Sequence, residues 1–196
     1  EEKAAAMGIL GNLPLYNKQV TERMLQKGIL TCIVSMLDAF VSRGQGTPSI
    51  KLLEIATWTL VRFTLPTDIQ LQEYTVKQGI IPLLVNILKS GTTLMKCRAA
   101  MSLQQLSENT QSLSKPIRRS SGWCCFSGDL PQLGCILHGG LCSVQESFCL
   151  LEAGALPPLI KALDDKEDEK DEAVLGALHT LVNDKCWEKG SELIVK

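Results

Sequence analysis

Apolar positions recur along the chain at helical spacing. Ile29, Ile33, Met36, Leu37 and Phe40 fall on one face, and this spacing predicts a helix over Ile29–Val41. Similar runs predict helices over residues 1–13, 17–27, 50–63, 69–78, 80–89 and 93–108. The punctuation agrees with the runs. Pro14 ends the first helix, and Asn17 is placed to cap the second. Gly28 stops the second helix, and Pro48 suits a helix start after the loop Arg43–Pro48. Pro66, Thr67 and Asp68 turn the chain into the helix that begins at Ile69.

One phrase repeats. Lys27-Gly28-Ile29-Leu30 is followed by Gln78-Gly79-Ile80-Ile81-Pro82-Leu83-Leu84-Val85 and by Ala153-Gly154-Ala155-Leu156-Pro157-Pro158-Leu159-Ile160. Each copy closes an amphipathic stretch with Gly and opens an apolar one, and an Ala/Leu-rich third stretch follows. Self-similarity of this kind marks a stacked helical array whose units bury each other's apolar faces. The glycines at 28, 79 and 154 lie farther apart than the ~40–47 residues of a three-helix unit, so both intervals carry insertions. The first insertion is the loop at 43–48. The second covers about residues 111–141 and breaks helical periodicity with Ser, Gly, Pro and Cys. A long loop holding Trp123, Phe126 and several Cys is more than a linker.

Composition narrows the function classes. The 196 residues are 45% hydrophobic and only 5% aromatic, which suits helix-on-helix packing. A formal net charge of −1 argues against a nucleic-acid binder, which needs a basic excess to neutralise phosphates. Charge is uneven locally. The run Asp164–Glu172 is strongly acidic and reads as a solvated turn that leaves acids at a helix N-terminus. Lys115, Arg118 and Arg119 form a basic patch suited to an acidic partner or an anionic membrane surface.

No apolar run reaches the ~20 residues of a membrane span, and no signal peptide is present. The chain opens within a helical pattern without an initiating Met, and reads as a piece of a longer protein. Its eight Cys sit in a helical context that favours reduced thiols or metal over disulfides. Catalytic signatures are missing: there is no G-x-S-x-G, Walker loop, dinucleotide turn or H-E-x-x-H. With only two His, no orienting group completes a Cys–His nucleophile at His138 or His179.

The insertion contains Cys124, Cys125 and then Cys135-x2-His138-x3-Cys142. Thiolates and an imidazole at short spacing suit a tetrahedral structural zinc, which would give a loop without its own core cohesion. Cys135, His138 and Cys142 would be three ligands, and Cys125, or alternatively Cys124, the fourth. The spacing matches no standard finger, and buried thiols acting as small hydrophobes are the competing reading. Cys149 falls on a helix face with Leu150 and Leu151 and reads as core; Cys32, Cys97 and Cys186 read as structural.

The units resemble armadillo repeats, with HEAT repeats a near alternative. The Gly-Ile-Ile-Pro-Leu-Leu-Val phrase at 79–85 matches the junction of first and second helices in that repeat. Ile55–Phe63 and Ala99–Leu106 look like third helices. The resemblance implies an all-α, right-handed superhelical solenoid. A partial unit would occupy 1–28, with units at about 29–79, 80–154 and 155–196. In such arrays the third helices line a concave face where Trp and Asn, four residues apart, hold a peptide. The matching pairs here are Trp58 with Arg62 and Met101 with Gln105. Gly8 with Asn12 and Gly176 with Thr180 take those places at the ends. A regular Trp/Asn ladder is therefore absent, which weakens a nuclear-import or catenin-like role.

A narrower resemblance is to plant U-box/armadillo E3 ubiquitin ligases of the senescence-associated type. It rests on Ser107–Thr110, on Cys135–Cys142 and on Ser143–Ala153. It implies a non-catalytic region that recruits a protein substrate or attaches the ligase to a membrane. The E2 would bind a U-box outside these residues. The location implied is cytoplasmic, peripheral at the plasma membrane. A non-catalytic armadillo adaptor or cargo-binding scaffold is the alternative.

Overall fold

A computed structural model of the chain describes residues 2–42, 48–112, 150, 153–164 and 168–181. Every regular element among them is helical: α1 (Glu2–Gly11), α2 (Lys18–Gln26), α3 (Ile29–Val41), α4 (Ile50–Val61), a 3-10 turn (Arg62–Thr64), α5 (Ile69–Lys77), α6 (Ile80–Ser90), α7 (Thr93–Ser112), α8 (Leu156–Ala162) and α9 (Asp168–Leu181).

Local chemistry sets the boundaries. Asn17 Oδ1 accepts the Val20 N–H at 3.1 Å to start α2, and Asp68 Oδ1 accepts the Leu71 N–H at 3.0 Å to start α5. The repeated glycines all adopt the left-handed conformation, with φ of 71° at Gly28, 80° at Gly79 and 79° at Gly154. At the first of them the chain bends by 67° between α2 and α3. A Cβ at Gly79 would meet nothing within 4 Å, so the backbone conformation alone selects glycine. Gly79→Ala is therefore expected to lower unfolding free energy by about 1–2 kcal/mol. Gly79→Asn should cost less, because Asn tolerates this conformation. Urea unfolding monitored by circular dichroism checks both, and an unchanged Ala midpoint would contradict the assignment.

The helices stack in layers. Second helices α3, α6 and α8 pack in succession, and so do third helices α1, α4, α7 and α9. Between the layers lies a continuous core in which Ile33, Leu53, Leu60, Leu84, Ile87 and Leu103 are fully buried. Burial at this scale supplies about 1.5–3 kcal/mol per large aliphatic side chain. No single helix among the described residues is long and apolar enough to cross a membrane.

Three expectations need correction. The α-helix expected over 50–63 stops at Val61 and tightens into a 3-10 turn at Arg62–Thr64. Side chains from the next helix take the carbonyls there: Thr75 Oγ1 donates to Phe63 O at 3.0 Å, and Gln72 Nε2 donates to Thr64 O at 2.5 Å. Helix α7 runs to Ser112, past the expected end at 108. The acidic run is only partly a turn, because α9 begins at Asp168. Within that run Lys170 is buried at 1% exposure, with its Nζ 3.6 Å from Asp171 Oδ1.

Candidate partner-binding face

The third helices lie side by side, and α4 and α7 carry the residues singled out for partner contact. Trp58, on α4, is half-buried. Its neighbour on one side is α1: a Cβ at Gly11 would lie 3.0 Å from Trp58 Cδ1 and 2.9 Å from Thr59 Oγ1. Glycine at that position lets α1 approach the indole. From α7, the Arg98 guanidinium carbon sits 4.2 Å from the centre of the Trp58 ring. Arg98 Nη1 also donates to Met101 Sδ at 3.5 Å. Trp58, Arg98 and Met101 thus form one partly exposed cluster across α4 and α7.

The residues four positions further on behave differently. Arg62 is 1% exposed, which corrects its assignment as a groove contact. Its guanidinium donates to the carbonyls of Leu13, Pro14 (2.6 Å) and Leu15 (3.1 Å), and lies 3.5 Å from Thr21 Oγ1. It closes the connection between α1 and α2, and burial shifts its pKa downward. Gln105, at the equivalent place on α7, acts on the equivalent connection. Its Oε1 accepts from Thr64 Oγ1 at 2.7 Å, and its carbonyl accepts from Gln72 Nε2 at 3.0 Å. Asn12 donates to Gly8 O at 2.9 Å and caps its own helix. Arg62 and Gln105 are therefore engaged with the preceding unit, while Asn12 stays exposed at the end of α1. Arg62 and Gln105 each turn to the connection after the preceding third helix, Arg62 to Leu13–Leu15 and Gln105 to Thr64.

At the last unit, Gly176 faces α7 closely: a Cβ there would lie 2.5 Å from Gln104 Oε1. Thr180 lies in the final turn of α9, and its side chain is outside the described residues. The same is true of the zinc candidates Cys124, Cys125, Cys135, His138 and Cys142, and of the basic patch Lys115, Arg118 and Arg119. Cys149 and Cys186 also lie outside. Among the described residues no cluster of three or more His, Cys, Asp or Glu is placed to hold a metal. Cys97 is buried, and burial pushes its thiol pKa up against the pull of Arg98. Cys32 is exposed on α3, so it is not a core thiol.

Sequence reasoning missed Arg98 and Gly11. Arg98 stands three residues before Met101 and so shares its side of α7, which is the signal available. Gly11 carried no signal beyond being a glycine near a helix end.

Comparison with known proteins places this arrangement. No family model matches the chain. It is 30% identical over 203 residues to U-box domain-containing protein 24 of Oryza sativa subsp. japonica, covering 94% of this chain and 25% of that protein. It is 32% identical over 198 residues to U-box domain-containing protein 43 of Arabidopsis thaliana, covering 94% and 24%. The chain thus spans about a quarter of the length of the curated relatives it matches. Among solved structures, a designed armadillo repeat protein superposes with a TM-score of 0.60 at 18% identity, covering 96% of this chain and 64% of that one. That likeness concerns the fold alone. The chain has the armadillo-repeat fold and is similar along 94% of its length to plant U-box domain-containing proteins.

Proposed function

We propose that this chain is the partner-recruiting region of a U-box E3 ubiquitin ligase, itself without catalytic residues. The observation that carries the reading is the match to U-box domain-containing proteins along 94% of the chain. A U-box elsewhere in the protein would bind the ubiquitin-charged E2, and the repeats would select a protein substrate or a membrane-associated protein. The stacked third helices support this, since α1, α4, α7 and α9 pack in succession and Trp58 among them is only half-buried. Attachment to an anionic membrane through Lys115, Arg118 and Arg119 belongs to the same reading, at the cytoplasmic side of the plasma membrane.

A simple peptide-cargo carrier fits less well. At two of the positions that would grip a peptide backbone, Arg62 and Gln105 are bonded to the preceding connection. The two roles of a ligase are separable by deletion. Removing residues 2–181 from the full protein should leave self-ubiquitination intact and abolish modification of a co-purifying substrate. Retained substrate modification would place recruitment elsewhere.

A further inference from the structure

Arg98 is half-buried, yet no carboxylate among the described residues pairs with it. Its recorded neighbours are the Trp58 ring and Met101 Sδ. Neither neutralises a guanidinium. Of its five N–H donors one is directed at Met101 Sδ, and no carboxylate acceptor for the others is found among the described residues. A partly desolvated arginine held against an indole is pre-ordered, so less side-chain freedom is lost when an anion arrives. Its donor fork matches a carboxylate in geometry.

We propose that Arg98, laid against Trp58, determines specificity in a subsite on the third-helix face that takes a carboxylate of an acidic peptide. Trp58 and Met101 supply apolar contact beside the charge, for the aliphatic part of a Glu or for a neighbouring hydrophobic residue. The Trp/Asn pattern does not include Arg98, and its charge favours an acidic ligand over a basic one. The surface is not broadly basic. Glu169 and Glu172 lie near enough to act electrostatically on Cys97, as Arg98 does, and among the described residues neither forms an ion pair with Arg98. Selectivity therefore comes from direct contact with one side chain. With Arg62 and Gln105 engaged internally, side-chain chemistry and not a backbone grip sets the affinity.

This inference rests on the recruiting role only in taking a protein as the ligand. A chain that binds acidic peptide while its parent transfers no ubiquitin would keep the subsite and lose the ligase, and the converse result would do the reverse. The test uses the 196-residue chain and two fluorescein-labelled peptides of equal length, one of Glu, Leu and Ser and one of Lys, Leu and Ser. Fluorescence anisotropy should show binding of the acidic peptide alone, weakening as salt rises. Arg98→Glu should reduce affinity roughly tenfold or more. Arg98→Lys, which keeps charge but loses the planar fork, should fall between. Trp58→Ala should weaken binding with helicity unchanged by circular dichroism. Equal or tighter binding of the basic peptide would overturn the proposal. So would no binding of the acidic one, or full affinity in a folded Arg98→Glu variant.

Discussion

Arg62→Met lowers the unfolding free energy of the chain by about 3 kcal/mol, because it strips a charged donor from three carbonyls at once. Leu13, Pro14 and Leu15 lose their common partner, and the connection between α1 and α2 is left without a clamp. Water can reach part of that connection, which keeps the cost below the sum of three fully buried losses. Arg62→Lys restores only a fraction, since an ammonium cannot span the same fork of acceptors. The measurement is urea unfolding, together with amide hydrogen exchange over residues 12–20. Exchange there should accelerate more than in α6. A Met variant within about 0.5 kcal/mol of wild type, the range of ordinary surface changes, would return Arg62 to the list of surface residues.

Phe63→Ala costs more, about 3–5 kcal/mol, as expected for a buried aromatic whose cavity cannot collapse. Phe63 is 0% exposed and sits in the 3-10 turn, with its carbonyl held by Thr75. Because the turn is fixed from both sides, neighbouring side chains have little freedom to fill the space. Tyr74→Ala is the control: it lies on α5 at 47% exposure and should change stability by less than about 0.5 kcal/mol. Equal effects of the two substitutions on the urea midpoint would show that the turn is not the packed joint described here.

These two residues also show what could be read from the chain and what could not. Gly28, Gly79 and Gly154 announced the helix junctions, because a left-handed backbone is a local demand that local sequence must meet. Asn17 announced the start of α2 for the same reason. Such signals need only a few neighbouring residues, and they carried the element order and the fold class. Arg62 was not legible as a buried clamp. Spacing of four gives the side of the helix on which a residue lies, not whether the chain folds back over it. Its acceptors lie almost fifty positions earlier, at Leu13–Leu15. Arg98 posed the same difficulty, since its ring partner Trp58 comes from another unit. The close approaches at Gly11 and Gly176 depend on helix separation, which no window of sequence encodes. The acidic run misled because its charge suggested solvent throughout, while Lys170 in its midst is buried beside Asp171.

The structure therefore separates two sets of residues that a family pattern joins. Arg62 and Gln105 hold neighbouring units together, and Trp58, Arg98 and Met101 form a half-buried cluster across α4 and α7. Variants in the first set should reduce binding only as far as they reduce stability, whereas variants in the second should reduce binding in a folded chain.

The most direct measurement is ubiquitin transfer by the protein that carries this chain, with E1, a panel of E2 enzymes, ubiquitin and ATP. Self-modification that needs sequence outside these 196 residues, and persists when Trp58 and Arg98 are changed, is the predicted result. Absence of transfer with every E2 would contradict the ligase assignment and leave an armadillo adaptor in its place.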